Sequence, residues 1–319
     1  MKSDTICVIG VVFLSFWRKP TDLLDSLRGG LSEELLDEPL STDHVKTEGC
    51  LMVALGVRPC ALVTIPAELP DGTKLGREID ALCAEDLRRV TEAPAEKKPF
   101  LIPKLRSRIQ ESFRKVVLSS AAYKAHLSWS KKLSLQILDI EVRPSIHELY
   151  LFKNPAVGKQ LKKLIALRAA ARKELAFPKG FVATRTSLVY AEELSADYLH
   201  SAGELLGYPP CCVKSYVDDR LGGGVNVETR ASTQLRQTDE GVKQLSIYAY
   251  FARNFFPCHP QCRNAIEIGG SAFHQLTDVN PKLGAIYLQC LRENAKTVEE
   301  YPELTQQYKQ KMEKTVTNG

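Results

Sequence analysis

Apolar residues recur along this chain in two rhythms, and the change from one to the other divides it. Through the first 190 residues, short β-rich runs alternate with helical spacings. Leu23, Leu24, Leu27, Leu35 and Leu36 set polar helical turns over 20–45, broken at Gly29-Gly30. Cys50 to Leu55 reads as a helix end closed by Gly56, and Ala61 to Ile65 as a short strand stopped by Pro66. Pro, Gly and charge at 66–75 and 91–104 predict loops. Residues 104–136 alternate basic and apolar positions at helical spacing. Ile137 to Val142 and His147 to Phe152 read as strands, a basic helix is expected from Pro155 to about Leu175, and Phe181 to Tyr190 is a further β-branched run.

After Tyr190 only helical periodicity remains. Helices are expected at 192–206, 211–220, 240–254, 260–270 and 280–296, with a polar helical tail to about 315 and a loop around Gly222-Gly223-Gly224. The pattern predicts an α+β protein: a mixed α/β N-terminal part over 1–190, then an α-helical C-terminal part over 191–319. The two parts form separate domains or one continuous domain.

A hydrophobic content of 44% with 25% charged residues fits a globular chain and excludes a disordered one. The run from Ile6 to Trp17 is mostly apolar but too short to span a bilayer, which takes about 20 residues. Lys2 is followed by Asp4, and no small-residue cleavage site precedes Arg18-Lys19, so a buried strand or docked helix is expected rather than a signal peptide. With no longer apolar run, the expectation is a soluble, cytoplasmic protein with no membrane partner. Nine cysteines are too few for a disulfide scaffold and odd in number, which also suits a reducing compartment. Cys7, Cys50, Cys60, Cys83 and Cys290 lie in apolar patterns and are expected to act as small core residues.

The other four cysteines gather in two proline-marked clusters. The first runs from His200 through Glu204, Gly207-Tyr208-Pro209-Pro210 and Cys211-Cys212; the second is Pro257-Cys258-His259-Pro260-Gln261-Cys262. His200 and Glu204 are four apart on one expected helix, which Gly207 ends. Both clusters fall at expected helix N-termini, where unpaired amides and the helix dipole stabilise thiolate. Metal binding is the leading reading, with Cys211, Cys212, Cys258, Cys262, His200 and His259 as candidate ligands. Because neighbouring side chains diverge, only one of Cys211 and Cys212 is expected to ligate. Cys212 and Glu204 are then candidate catalytic groups. Ligation by three thiolates suits an iron–sulfur cluster, the first choice, and zinc is the second. A thiol–disulfide pair and an ordinary cysteine-containing core are the competing readings.

The block Gly-Glu-Leu-Leu-Gly-Tyr-Pro-Pro-Cys-Cys-Val-Lys-Ser-Tyr at 203–216, followed by Phe-Pro-Cys-His-Pro-Gln-Cys-Arg-Asn-Ala at 256–265, resembles an uncharacterised family. That family is mainly archaeal and bacterial and carries a domain of unknown function. The resemblance covers about 147–270 and implies that the cysteines act together; it implies no activity.

A net charge of +5 is a mild basic excess. Two segments concentrate it: Lys104, Arg106, Arg108, Arg114 and Lys115 within 104–115, and Lys159, Lys162, Lys163, Arg168, Arg172 and Lys173 within 159–173. Both read either as solvated helix faces or as contacts for tRNA or another nucleic acid. No glycine-rich nucleotide loop or nucleophile elbow is present. The leading expectation is therefore a metal-dependent enzyme for redox, sulfur-transfer or nucleic-acid-modification chemistry on an unidentified small-molecule substrate. The alternatives are a non-enzymatic nucleic-acid-binding or scaffold protein with structural zinc, and a thiol–disulfide redox protein.

Overall fold

The computed structural model describes residues 20–175, 190–222, 226–239 and 246–317. The apolar run Ile6 to Trp17, nearly all of the strand expected at 181–190, and Gly223-Gly224 lie outside them. The chain forms two compact units, one of residues 1–54 and 61–153, the other of 55–60 and 154–319. No helix among the described residues is long and apolar enough to cross a membrane.

The first unit is mixed. Short helices α1 (Pro20–Ser26), α2 (Ser32–Leu36) and α3 (Met52–Ala54) are joined by wide π-type turns at Leu27–Leu31 and Val45–Leu51. Gly30 breaks the first turn with φ +120°, a value that favours glycine. Then come β1 (Cys60–Ile65), α4 (Gly72–Glu92), α5 (Lys98–Val116), α6 (Ala121–Lys132), β2 (Gln136–Arg143) and β3 (Ile146–Phe152). The sheet order is β1-β3-β2, with β2 and β3 antiparallel and Leu138 opposite Tyr150. Leu149, Leu151 and Phe113 fill the core, and the His147 ring stacks on Phe113 at 4.2 Å. Asp139 fixes that ring by accepting from Tyr123 and pairing with His147 Nδ1 at 2.7 Å.

The loop expected at 91–104 is shorter than its prolines suggest. Helix α4 continues to Glu92 and α5 begins at Lys98. Pro99 lies in the first turn of α5, where its missing N–H costs nothing, and Pro103 gives up one hydrogen bond further in. Leu75, Ile79 and Cys83 of α4 are buried, and Cys83 Sγ donates to Ser112 Oγ of α5 at 3.6 Å. Cys50, Cys60 and Cys290 are buried as expected. Burial pushes the Cys50 and Cys60 thiols up to about 12, so both stay protonated and inert.

From residue 154 on, the regular elements of the second unit among the described residues are all helical: α7 (Pro155–Leu175), α8 (Ala196–Leu205), α9 (Pro210–Leu221), α10 (Val227–Asp239), α11 (Arg263–Val279) and α12 (Pro281–Thr317), with 3-10 turns at Ala191–Leu194 and Ile247–Tyr250. One expected helix is corrected. Where a helix was expected over 240–254, residues 247–250 form a single 3-10 turn and 251–262 are irregular, while a helix occupies 227–239. Val227, Ala231 and Leu235 recur at four-residue spacing and are buried, and Asn226 caps the helix by accepting from the Glu228 amide.

Two cations expected on the basic face of α7 turn inward. Arg172 grips Glu192 with two hydrogen bonds of 2.8 and 2.6 Å, and Arg168 reaches Glu192 at 3.4 Å and donates to Tyr198 Oη. Lys159, Lys162, Lys163 and Lys173 remain exposed. Burial alone would raise the Glu192 pKa; the hydrogen bonds and charges of Arg172 and Arg168 outweigh it and hold the carboxyl below the usual range. A lowered folded-state pKa contributes stability that is present above the unfolded value, about 4.3, and is lost as pH falls through the folded one. Glu192→Gln should therefore lower stability at pH 7 by about 3 kcal/mol and flatten its loss below about pH 4.3, as read by urea unfolding at a series of pH values.

Candidate metal centre

The first cysteine cluster is positioned by the end of one helix and the start of the next. Helix α8 stops in a Schellman turn: the Tyr208 amide donates to Gly203 O at 2.9 Å and the Gly207 amide to Glu204 O at 3.0 Å. Gly207 has φ +72°, and a Cβ there would stand 2.7 Å from Pro59 Cδ. A Cβ on Gly203 would stand 2.5 Å from Val213 Cγ2, so this glycine lets α8 and α9 approach closely. Pro209 and Pro210 then start α9, placing Cys211 and Cys212 in its first turn. The second cluster crosses the irregular segment before α11, with Cys262 as the N-cap residue of that helix.

The four sulfurs converge. Cys262 Sγ lies 3.6 Å from both Cys211 Sγ and Cys212 Sγ, and those two are 4.0 Å apart. With Cys258, all four Sγ atoms lie within 4.8 Å of one another, a group able to hold a metal ion. Both adjacent thiols reach the group, where one was expected. Cys262 stands between them, so side chains that diverge around the helix can straddle it. Cys212 and Cys262 are buried, Cys258 is half-buried and Cys211 is exposed.

His200, Glu204 and His259 stand outside this group. His200 and Glu204 are exposed on α8, and Glu204 lines a small cavity with Gln160, Lys163, Leu164, Ser201 and Leu205. His259 is also exposed, and its Nδ1 accepts from the Gln261 amide at 3.1 Å.

Surrounding groups hold the two cysteine segments together. The Cys258 amide donates to Cys212 Sγ at 3.4 Å, and Asn264 Nδ2 donates to Cys211 Sγ at 3.6 Å. Tyr208, just before the first pair, packs on Phe255 at 4.8 Å, and Phe255 packs on Phe251 at 4.6 Å. Arg230 of α10 donates to the carbonyls of Pro257 and Cys258, both at 3.1 Å, and pairs with Asp219 of α9. Helix α12 secures the same segment from Tyr287 to Phe251 O and from Asn294 to Tyr250 O.

Arg230 lies on a helix where the glycine run predicts a loop, so the sequence does not single it out. The Asn226 cap and the Val227, Ala231, Leu235 spacing were the available signals.

Burial raises the pKa of Cys212 well above the ordinary thiol range, and burial with the Cys262 contact raises Cys258 to about 11. For Cys211 burial also acts upward, but contacts with Cys262, Cys212, Cys258 and Asn264 outweigh it and bring the value below the ordinary one. Four thiolates this close repel one another, so full ionisation of the group calls for a cation among them.

Residues 162–280 match a family described as "Protein of unknown function (DUF483)". That span contains both cysteine blocks, so the family resemblance holds where its motifs lie. An uncharacterized protein of Methanocaldococcus jannaschii is 35% identical over 68 residues, which cover 21% of this chain and 35% of that relative. The match thus spans about a third of the relative's length. No solved structure matches the chain.

The turn that aims the first cysteine pair depends on Gly207. Gly207→Ala should cost about 1–2 kcal/mol for the left-handed backbone alone, and more from the approach to Pro59. Urea unfolding measures the loss.

Proposed function

We propose that Cys211, Cys212, Cys258 and Cys262 hold a single zinc ion in a closed tetrathiolate site, and that this ion fastens the helical unit. The sulfur spacing carries the reading. A tetrahedral ion with Zn–S bonds of about 2.3 Å sets its sulfurs about 3.8 Å apart. Three of the six separations here, those among Cys211, Cys212 and Cys262, are 3.6, 3.6 and 4.0 Å, and all six lie within 4.8 Å. A four-iron cluster places each thiolate on a different metal, which spreads the sulfurs around a larger core. On this proposal zinc, the second choice of the sequence reading, is favoured over the iron–sulfur cluster that was its first.

Four protein ligands leave no open position for substrate, which favours a structural centre over a catalytic one. Cys212 is then a ligand rather than a catalytic thiol. The ion would join the first turn of α9 to the segment that runs from Cys258 into α11, 46 residues further along the chain. Arg230 and the Tyr208–Phe255 contact supply the surrounding support that metal sites need to orient their ligands.

Zinc analysis and acid-labile sulfide on anaerobically purified protein test this reading. The expected result is one zinc per chain and no sulfide, with the zinc lost in Cys258→Ser/Cys262→Ser and the melting temperature lowered by a chelator. Iron with stoichiometric sulfide, or no metal in the unaltered protein, would overturn it.

A further inference from the structure

The closed end of the α4–α5 hairpin joins an exposed apolar group to a dense run of cations. Eight large apolar side chains are exposed among the described residues, and four of them lie on these two helices. Leu87 is 55% exposed, Phe100 76% and Ile102 51%, all close to the turn between the helices. Single exposed leucines are ordinary; three exposed apolar side chains near one helix–helix turn, beside cations, fit a docking tip. Residues 87–108 carry seven basic side chains (Arg88, Arg89, Lys97, Lys98, Lys104, Arg106 and Arg108) against two acidic ones, Glu92 and Glu96. Arg89 is held by Glu85, Arg106 pairs with Glu141 at 3.7 Å and Arg108 with Glu111 at 3.6 Å. Lys97, Lys98 and Lys104 make no ion pair within the described residues and flank Phe100 at i−3, i−2 and i+4.

We infer that this hairpin end docks on an anionic lipid surface, with Phe100, Leu87 and Ile102 entering the headgroup boundary and the three lysines meeting the lipid charge. Amphipathic interfacial segments divide their work in this way between apolar burial and basic attraction. Nucleic acid would use the cations and the Phe100 ring, but Leu87 and Ile102 have no stacking face to offer it. Peripheral docking needs no spanning helix, so the lack of one among the described residues does not bear on it. The hairpin belongs to the first unit, and the inference stands independently of the metal centre.

Co-sedimentation of the full chain with vesicles of phosphatidylcholine, with and without phosphatidylserine, tests the docking. The expected result is binding to the anionic vesicles that weakens as salt rises. Lys97→Gln/Lys98→Gln/Lys104→Gln should weaken it about a hundredfold, taking about fivefold for each lysine charge removed. Leu87→Ser/Phe100→Ser/Ile102→Ser should also weaken it, with circular dichroism of both variants unchanged. If a variant fails to fold, the contrast between the two vesicle types with the unaltered chain decides the matter alone. Equal or absent binding to the two vesicle types would overturn the inference. So would binding to a single-stranded RNA oligonucleotide without vesicle binding, or a dimer in sedimentation velocity that the serine variant abolishes.

Discussion

Bringing four sulfurs within 4.8 Å of one another is the demand that organises the second unit. Thiols that close gain little from each other, and as thiolates they repel. The surrounding structure therefore has to impose the arrangement or an ion has to reward it. The chain does the first through its helix ends. Gly207 reverses the backbone after α8, two prolines start α9 with its cysteines in the first turn, and Cys262 caps α11. The proposed zinc ion would supply the second, because a cation is what makes a cluster of thiolates favourable.

The layer around the sulfurs carries the same constraint outward. Arg230 engages the carbonyls of Pro257 and Cys258 while Asp219 holds its guanidinium, which links α9 and α10 to the loop that delivers Cys258. Arg220 links the same two helices by another route, meeting Glu228 at 2.9 Å and Glu193 at 3.3 Å. Neutral packing would supply comparable stability at a lower desolvation cost. Ionic contacts add direction, since each fixes a particular carbonyl or carboxylate.

Much of this was legible in the residues themselves. The strands of the first unit showed in β-branched and aromatic runs ended by proline, and α7 in the proline at its start. The Gly207 turn and the two cysteine-bearing helix starts followed from local chemistry at consecutive positions. Contacts distant in sequence were harder to read. Arg168 and Arg172 resemble solvent-facing cations until Glu192, about 20 residues away, is seen to receive them. The 246–262 segment is apolar enough to suggest a helix, yet after the 3-10 turn at Ile247–Tyr250 its backbone is irregular, and Tyr250, Phe251, Phe255 and Phe256 are buried by packing. The convergence of Cys211 with Cys212 depended on where Cys262 arrived, which no local rule specifies.

Zinc K-edge X-ray absorption on the purified protein addresses the central claim most directly. A single shell of four sulfurs at about 2.3 Å, with no nitrogen or oxygen ligand, is the predicted result. A shell containing a nitrogen or oxygen ligand, or a sample whose metal is iron with iron–iron scattering, would contradict a closed tetrathiolate zinc site.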